Sequence, residues 1–131
     1  MGVMVSTILK LCQGVPLRTV EPGTVLLAEG ARDRMLCILA DGEVEILKDD
    51  FQVNTVSEPG AVFGEMSILL DTPHTATVRA RTSCRVHMIE DGDAFLRSNT
   101  DMAYDLLKIV AGRLQGVTTH LTNLNRYVRA M

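Results

Sequence analysis

From Leu17 to Ile89 short apolar or alternating runs recur between turn signals: LRTV, VLLA, MLCIL, EVEIL, FQVNTV, ATVRA and CRVHMI. Runs of four to six residues rich in Val, Ile, Leu and Thr suit half-buried or fully buried strands. Between them Glu21-Pro22-Gly23, Glu29-Gly30, Asp41-Gly42 and Glu58-Pro59-Gly60 supply the positive or fixed φ that tight turns need. That spacing predicts an antiparallel β sandwich or barrel. In MLCILADGEVEIL, Asp41-Gly42 suits a two-residue hairpin turn. Val44 and Ile46 alternate there with Glu43 and Glu45, so one face of the second strand is predicted to be wet.

Helical patterns bracket the β region at Thr7 to Leu11, Gly64 to Leu70 and Asp93 to Ser98, with a long helix from about Thr100 onward. In the last, Leu107, Val110, Leu114, Val117, Leu121, Leu124 and Val128 follow strict 4-3 spacing over three heptads. Asp101 lies in its first turn, where the helix dipole favours a negative charge. A helix that packs on its own β core usually shows a wider apolar face. So narrow a seam predicts a second copy of the helix as its partner, hence a homodimer. Packing back on the chain's own core is the alternative.

With 131 residues there is room for one domain, a β region over 1–99 with its N-terminal helix and the long helix over 100–131. The longest apolar run, MLCILA, is far short of the ~20 residues of a membrane span, so no membrane partner is expected. Thirteen basic and sixteen acidic residues leave a net charge of -3, which argues against a nucleic-acid surface. Arg126 and Arg129 read as the solvated end of the last helix, and no recognition helix can be assigned. Cys12, Cys37 and Cys84 are odd in number and set in apolar runs, the pattern of core thiols in a reduced, cytoplasmic compartment. Lys10 interrupts the one candidate for a secretory signal, and MGVMVS meets a loose myristoylation pattern that many unmodified chains share. His74, His87 and His120 are scattered, which disfavours a metal centre of cupin type, and three dispersed cysteines cannot supply a four-thiolate cluster. Neither metal, resident cofactor nor catalysis is expected.

Chemistry concentrates in PGAVFGEMSILL, read as a strand end, a glycine turn and a short helix. Its first amides, from Gly64 to Ser67, lack intrahelical acceptors and can face an anion. Glu65 can accept hydrogen bonds from hydroxyls such as those of a ribose. After the helix, Pro73 stiffens a loop that leads His74 and Thr75 into the next strand.

FGEMSILLDTPHTATV resembles the phosphate-binding cassette of the cyclic nucleotide-binding domain family, a Phe-Gly-Glu turn, a short helix, a Pro loop and then Arg-Thr-Ala-Thr-Val or a close variant. The ten-residue step from Gly64 to His74 is the usual one, and the glycines of EPGTVLLAEG, LADGEVEIL and SEPGAVFGE fall in the family's order, so the likeness covers roughly residues 14 to 90. AYDLLKIVAGRLQGVTTHLTNL is similar to the dimerisation helix of bacterial catabolite-activator-type regulators. The resemblance, to these and to protein kinase A regulatory-type β-rolls, implies an antiparallel jelly-roll β-barrel (double-stranded β-helix) with flanking helices that binds cAMP or cGMP. It implies that Glu65 takes the ribose 2'-hydroxyl and that amides of Gly64, Glu65, Met66, Ser67 and Ala76 face the cyclic phosphate. Thr75 stands where cGMP-responsive members often carry threonine, and Thr118 or Thr119 would cap the base.

One position departs. His74 stands where the family has an arginine that forks onto the phosphate. A histidine of ordinary pKa ~6.5 is mostly neutral at pH 7 and offers one donor at best in that direction. Losing a contact worth ~1.5–3 kcal/mol is expected to weaken binding about ten- to a hundredfold. A neighbouring phosphate favours the protonated imidazole, so affinity should rise as pH falls. The expected function is a cyclic nucleotide sensor with an attenuated phosphate site. The alternative is a degenerate, non-binding β-roll that serves as a dimerisation or protein-interaction module.

Overall fold

Alternate residues of a strand face opposite sides, and here that period sorts the chain into two sheets and two cores. The computed structural model describes residues 8–130, of which 8–11 are helical; Thr7 and the MGVMVS motif lie outside the described residues. Strands β1 (Leu17–Val20), β2 (Val25–Leu27), β3 (Leu36–Asp41), β4 (Val44–Lys48), β5 (Phe51–Val56) and β6 (Val62–Phe63) come first. Helix α1 (Glu65–Leu70), strands β7 (Thr77–Ala80) and β8 (Cys84–Ile89), and helices α2 (Gly92–Ser98) and α3 (Thr100–Ala130) follow. One sheet runs β1-β8-β3-β6 and the other β2-β7-β4-β5, with every neighbouring pair antiparallel.

The predicted jelly roll is present, but among the described residues no ladder joins the two sheets, so it is not a closed barrel. Nor do β3 and β4 form the expected hairpin. They belong to different sheets, and Asp41-Gly42 carries the chain across from one to the other. Gly42 has φ 97°, and a side chain there would meet the Ser83 carbonyl at 2.5 Å and Cys84 Sγ at 2.8 Å. The tight hairpin is β4–β5, where Lys48 pairs with Phe51. Asp49 and Asp50 between them have φ 52° and 67°, the two positive values of a twist-matched two-residue turn. The wet face predicted for β4 holds, since Glu45 pairs with Arg79 of β7 at 3.1 Å.

β3 explains its unbroken apolar run by being buried on both sides. Cys37 and Leu39 point between the sheets with Val20, Leu27, Val44, Val78 and Val86. Leu36 and Ile38 point outward, under Ile8, Cys12, Ile68, Leu96, Met102 and Leu106 of the helical layer. All three cysteines are buried and unpaired. Burial pushes the Cys12 thiol up to about 11 and, with Cys84 adding to it, the Cys37 thiol up to about 12, so these groups stay protonated and inert at neutral pH.

Only the first turns of α3 join this core, through Met102 and Leu106, with Ile109 and Val110 half-buried against it. From residue 111 to 130 every position is exposed. Among the described residues no helix is long and apolar enough to cross a membrane.

Candidate functional site

The site begins where β6 ends. Gly64 has φ 93° and lies so close to the Met35 carbonyl that a Cβ would collide with it, which turns the chain sharply into α1. No acceptor among the described residues takes the amides of Glu65, Met66 or Ser67. At the far end of α1, Asp71 takes a left-handed conformation and Thr72 donates its amide to the Ser67 carbonyl at 3.2 Å. The Ser67 hydroxyl donates back to the Thr72 carbonyl at 2.5 Å, closing the turn.

The loop that follows is clamped on three sides. His74 donates its amide to the Ala31 carbonyl at 3.0 Å, and its own carbonyl accepts from Gly30 at 2.8 Å. Lys48 donates to the Thr75 carbonyl at 2.8 Å while paired with Glu29 at 3.0 Å. With these carbonyls engaged, the amides of Thr75 and Ala76 have no acceptor among the described residues.

His74 is only 5% exposed, and its Nε2 lies 2.5 Å from Asp33 Oδ1. Burial pushes the Asp33 carboxyl up, but hydrogen bonds from His74 and from the Met35 amide outweigh it and hold the group below its usual range. Asp33 is therefore ionised at neutral pH, and Nε2–H is the donor in the pair. Glu65 is 4% exposed and accepts from Arg113 Nη1 of α3 at 2.7 Å. Arg113 reaches it from the last turn before α3 leaves the domain.

These elements enclose a cavity of about 720 Å³, within the usual size of a small-molecule site. Gly64, Glu65, Met66, Ser67, His74, Thr75 and Ala76, all seven positions picked out in the sequence, line it together. Its apolar wall is Leu27, Ile46, Val56, Val62, Phe63 and Val78. Asn54 and Glu58 line one side, and Lys108, Ile109, Gly112 and Arg113 of α3 form the cover. Thr118 and Thr119 are exposed beyond that cover and do not line the cavity of their own chain; the Thr118 hydroxyl donates to the Leu114 carbonyl at 3.0 Å. Among the described residues no three His, Cys, Asp or Glu side chains are grouped to hold a metal ion. Sequence reasoning missed Asp33, Arg113, Lys108, Asn54 and Glu58. Glu58 read only as part of a turn and Lys108 and Arg113 only as part of a helix, while Asp33 meets His74 across 41 positions, so no local signal tied them to the site.

A two-sheet β-roll with such a cavity under a C-terminal helix has the architecture of a small-molecule-binding domain. The profile described as Cyclic nucleotide-binding domain matches residues 17–97, and the chain belongs to that family. The cAMP-dependent protein kinase regulatory subunit of Yarrowia lipolytica is 35% identical over 78 residues, 59% of this chain and 21% of that protein. The cGMP-dependent protein kinase of Plasmodium berghei is 30% identical over 103 residues, 77% of this chain and 10% of that protein. The chain thus spans about a fifth and a tenth of the lengths of these relatives. Among solved structures, the Catabolite Activator Protein of Thermus thermophilus superposes with a TM-score of 0.70 at 22% identity, over 93% of this chain and 59% of that one, a likeness of fold.

Proposed function

We propose that this chain is a regulatory module, not an enzyme, that binds cAMP or cGMP in the 720 Å³ cavity and acts as a homodimer. The observation that carries this reading is the convergence of Gly64–Ser67 and His74–Ala76 on one cavity with their amides unengaged. Those amides would hold the cyclic phosphate, and Glu65 the ribose 2'-hydroxyl. A hydroxyl arriving at Glu65 must share that carboxylate with Arg113, so occupancy would be felt directly at α3.

One observation favours the silent alternative: the imidazole that replaces the family's arginine already spends its Nε2–H on Asp33. A melting scan with cAMP or cGMP separates the two. A binding site gains RT ln(1 + [L]/Kd), about 1.4 kcal/mol at ten times Kd, which should raise Tm by roughly 5 °C. An unmoved Tm with either nucleotide at saturating concentration leaves only the scaffold.

The seam on α3 supports the dimer. Leu107, Leu114, Val117, Leu121, Leu124 and Val128 are 47–66% exposed, and Val110 alone of the seven is half-buried on the core. Six large apolar side chains at 3.5-residue spacing gain most from a like helix. The chain is expected to sediment as a dimer and Leu121→Asp as a monomer; a monomeric wild type over the accessible concentration range would refute the seam.

A further inference from the structure

We infer that the cavity selects guanine over adenine, through Glu58 with Asn54; this deepens the cyclic nucleotide reading above and rests on it. Leu27, Val78, Ile46 and Asn54 are paired in sequence across β2, β7, β4 and β5, so they form one row on one face of the sheet. All four line the cavity. Asn54 is the sole polar member of that row, and it lies two strand spacings, roughly 9.5 Å, from β7 and the phosphate-side loop that precedes it. A nucleotide whose phosphate sits at Ala76 would turn the outer edge of its base toward this side.

The orientation of the Asn54 amide is set by its own backbone. Its Oδ1 accepts from the Thr55 N–H at 2.9 Å, so the Nδ2 donors are left for a ligand, and no acceptor among the described residues takes them. Glu58, four residues on, lines the same cavity and joins none of the ion pairs among the described residues. This side of the cavity therefore offers one amide donor and a carboxylate with two acceptor oxygens.

Guanine's Watson–Crick edge presents an acceptor at O6 followed by two adjacent donors, N1–H and N2–H. It can take Asn54 Nδ2–H on O6 and give both donors to Glu58, a paired, charge-assisted contact. Adenine presents one donor, N6–H, beside the lone pair of N1. Against the same carboxylate it makes one hydrogen bond and sets a lone pair against the second oxygen. The bidentate pairing of adenine with an asparagine needs Oδ1 as acceptor, and the Thr55 N–H already engages one of its two lone pairs and fixes its direction.

Calorimetric or melting titration of the whole chain with cGMP, cAMP and inosine 3',5'-cyclic monophosphate tests this. The inosine compound keeps O6 and N1–H and lacks the 2-amino group. The expected order is cGMP tightest by about tenfold or more over cAMP, with the inosine compound between. In Glu58→Gln the cGMP-to-cAMP ratio should collapse to within about threefold, and in Asn54→Ala it should shrink by a smaller factor. Both positions are exposed, and the ligand-free Tm of each variant checks that it folds. Equal or tighter binding of cAMP, or an unchanged ratio in Glu58→Gln, overturns the base assignment and leaves the nucleotide site standing. Binding of none of the three overturns both.

Discussion

His74→Arg is expected to raise the affinity for a cyclic nucleotide about ten- to a hundredfold, the value of a charge-assisted contact of ~1.5–3 kcal/mol. The surroundings are prepared for the larger side chain's charge. Asp33 is ionised and within reach, and a guanidinium has donors enough to keep Asp33 and still fork onto a phosphate. The imidazole has spent Nε2 and has a single nitrogen left. In the wild type, tight contact with a phosphate requires that second nitrogen to carry a proton, so binding is expected to strengthen as pH falls. His74→Arg should lack that slope. Acid titration has a floor, and its sign follows from Asp33. A carboxyl held low in the folded state contributes its full stabilisation above the ordinary carboxylate pKa of ~3.9 and loses it as pH falls through the lower folded value. Both pH 7.5 and ~5.5 lie above the ordinary carboxylate pKa, so Asp33 stays charged at each. Calorimetry of both proteins at both pH values provides the check; equal affinities in all four conditions would show that residue 74 does not meet the ligand.

Gly64→Ala is expected to cost about 3 kcal/mol of stability and to abolish the ligand response. Two terms add. A non-glycine residue at φ 93° is strained by about 1–2 kcal/mol. The new Cβ also drives into the Met35 carbonyl and within 3.3 Å of Leu27 Cδ1, so the turn into α1 must move and take its amides with it. Gly23→Ala isolates the first term, because φ is 89° there and nothing lies within 4 Å of the added Cβ. Denaturant midpoints that coincide for the two variants would mean the packing against Met35 is slack.

The strands were readable because their period and their turn glycines are local. So was the cassette, since seven of its positions within thirteen residues, 64 to 76, end up lining one cavity. What local pattern cannot convey is partnership. Asp41-Gly42 announces a positive φ, and nothing nearby says that β3 will pair with β8 rather than with β4; its partners there, Arg85 to Ile89, lie some forty to fifty residues on. Asp49-Asp50 makes the real hairpin without the glycine that would advertise it. β6 is two residues long, too short to show a period. Asp33 meets His74 across 41 positions and Arg113 meets Glu65 across 48, and such pairs exist only once the sheets and helices have packed.

Within this chain α3 is held to the roll through its first turns. The residues after Arg113, 114–130, are exposed, a length of ~25 Å. A tilt of ~10° at the anchored turns, where Arg113 grips Glu65, would sweep residue 130 through roughly 4 Å. A small displacement beside the cavity would thus be magnified along the helix.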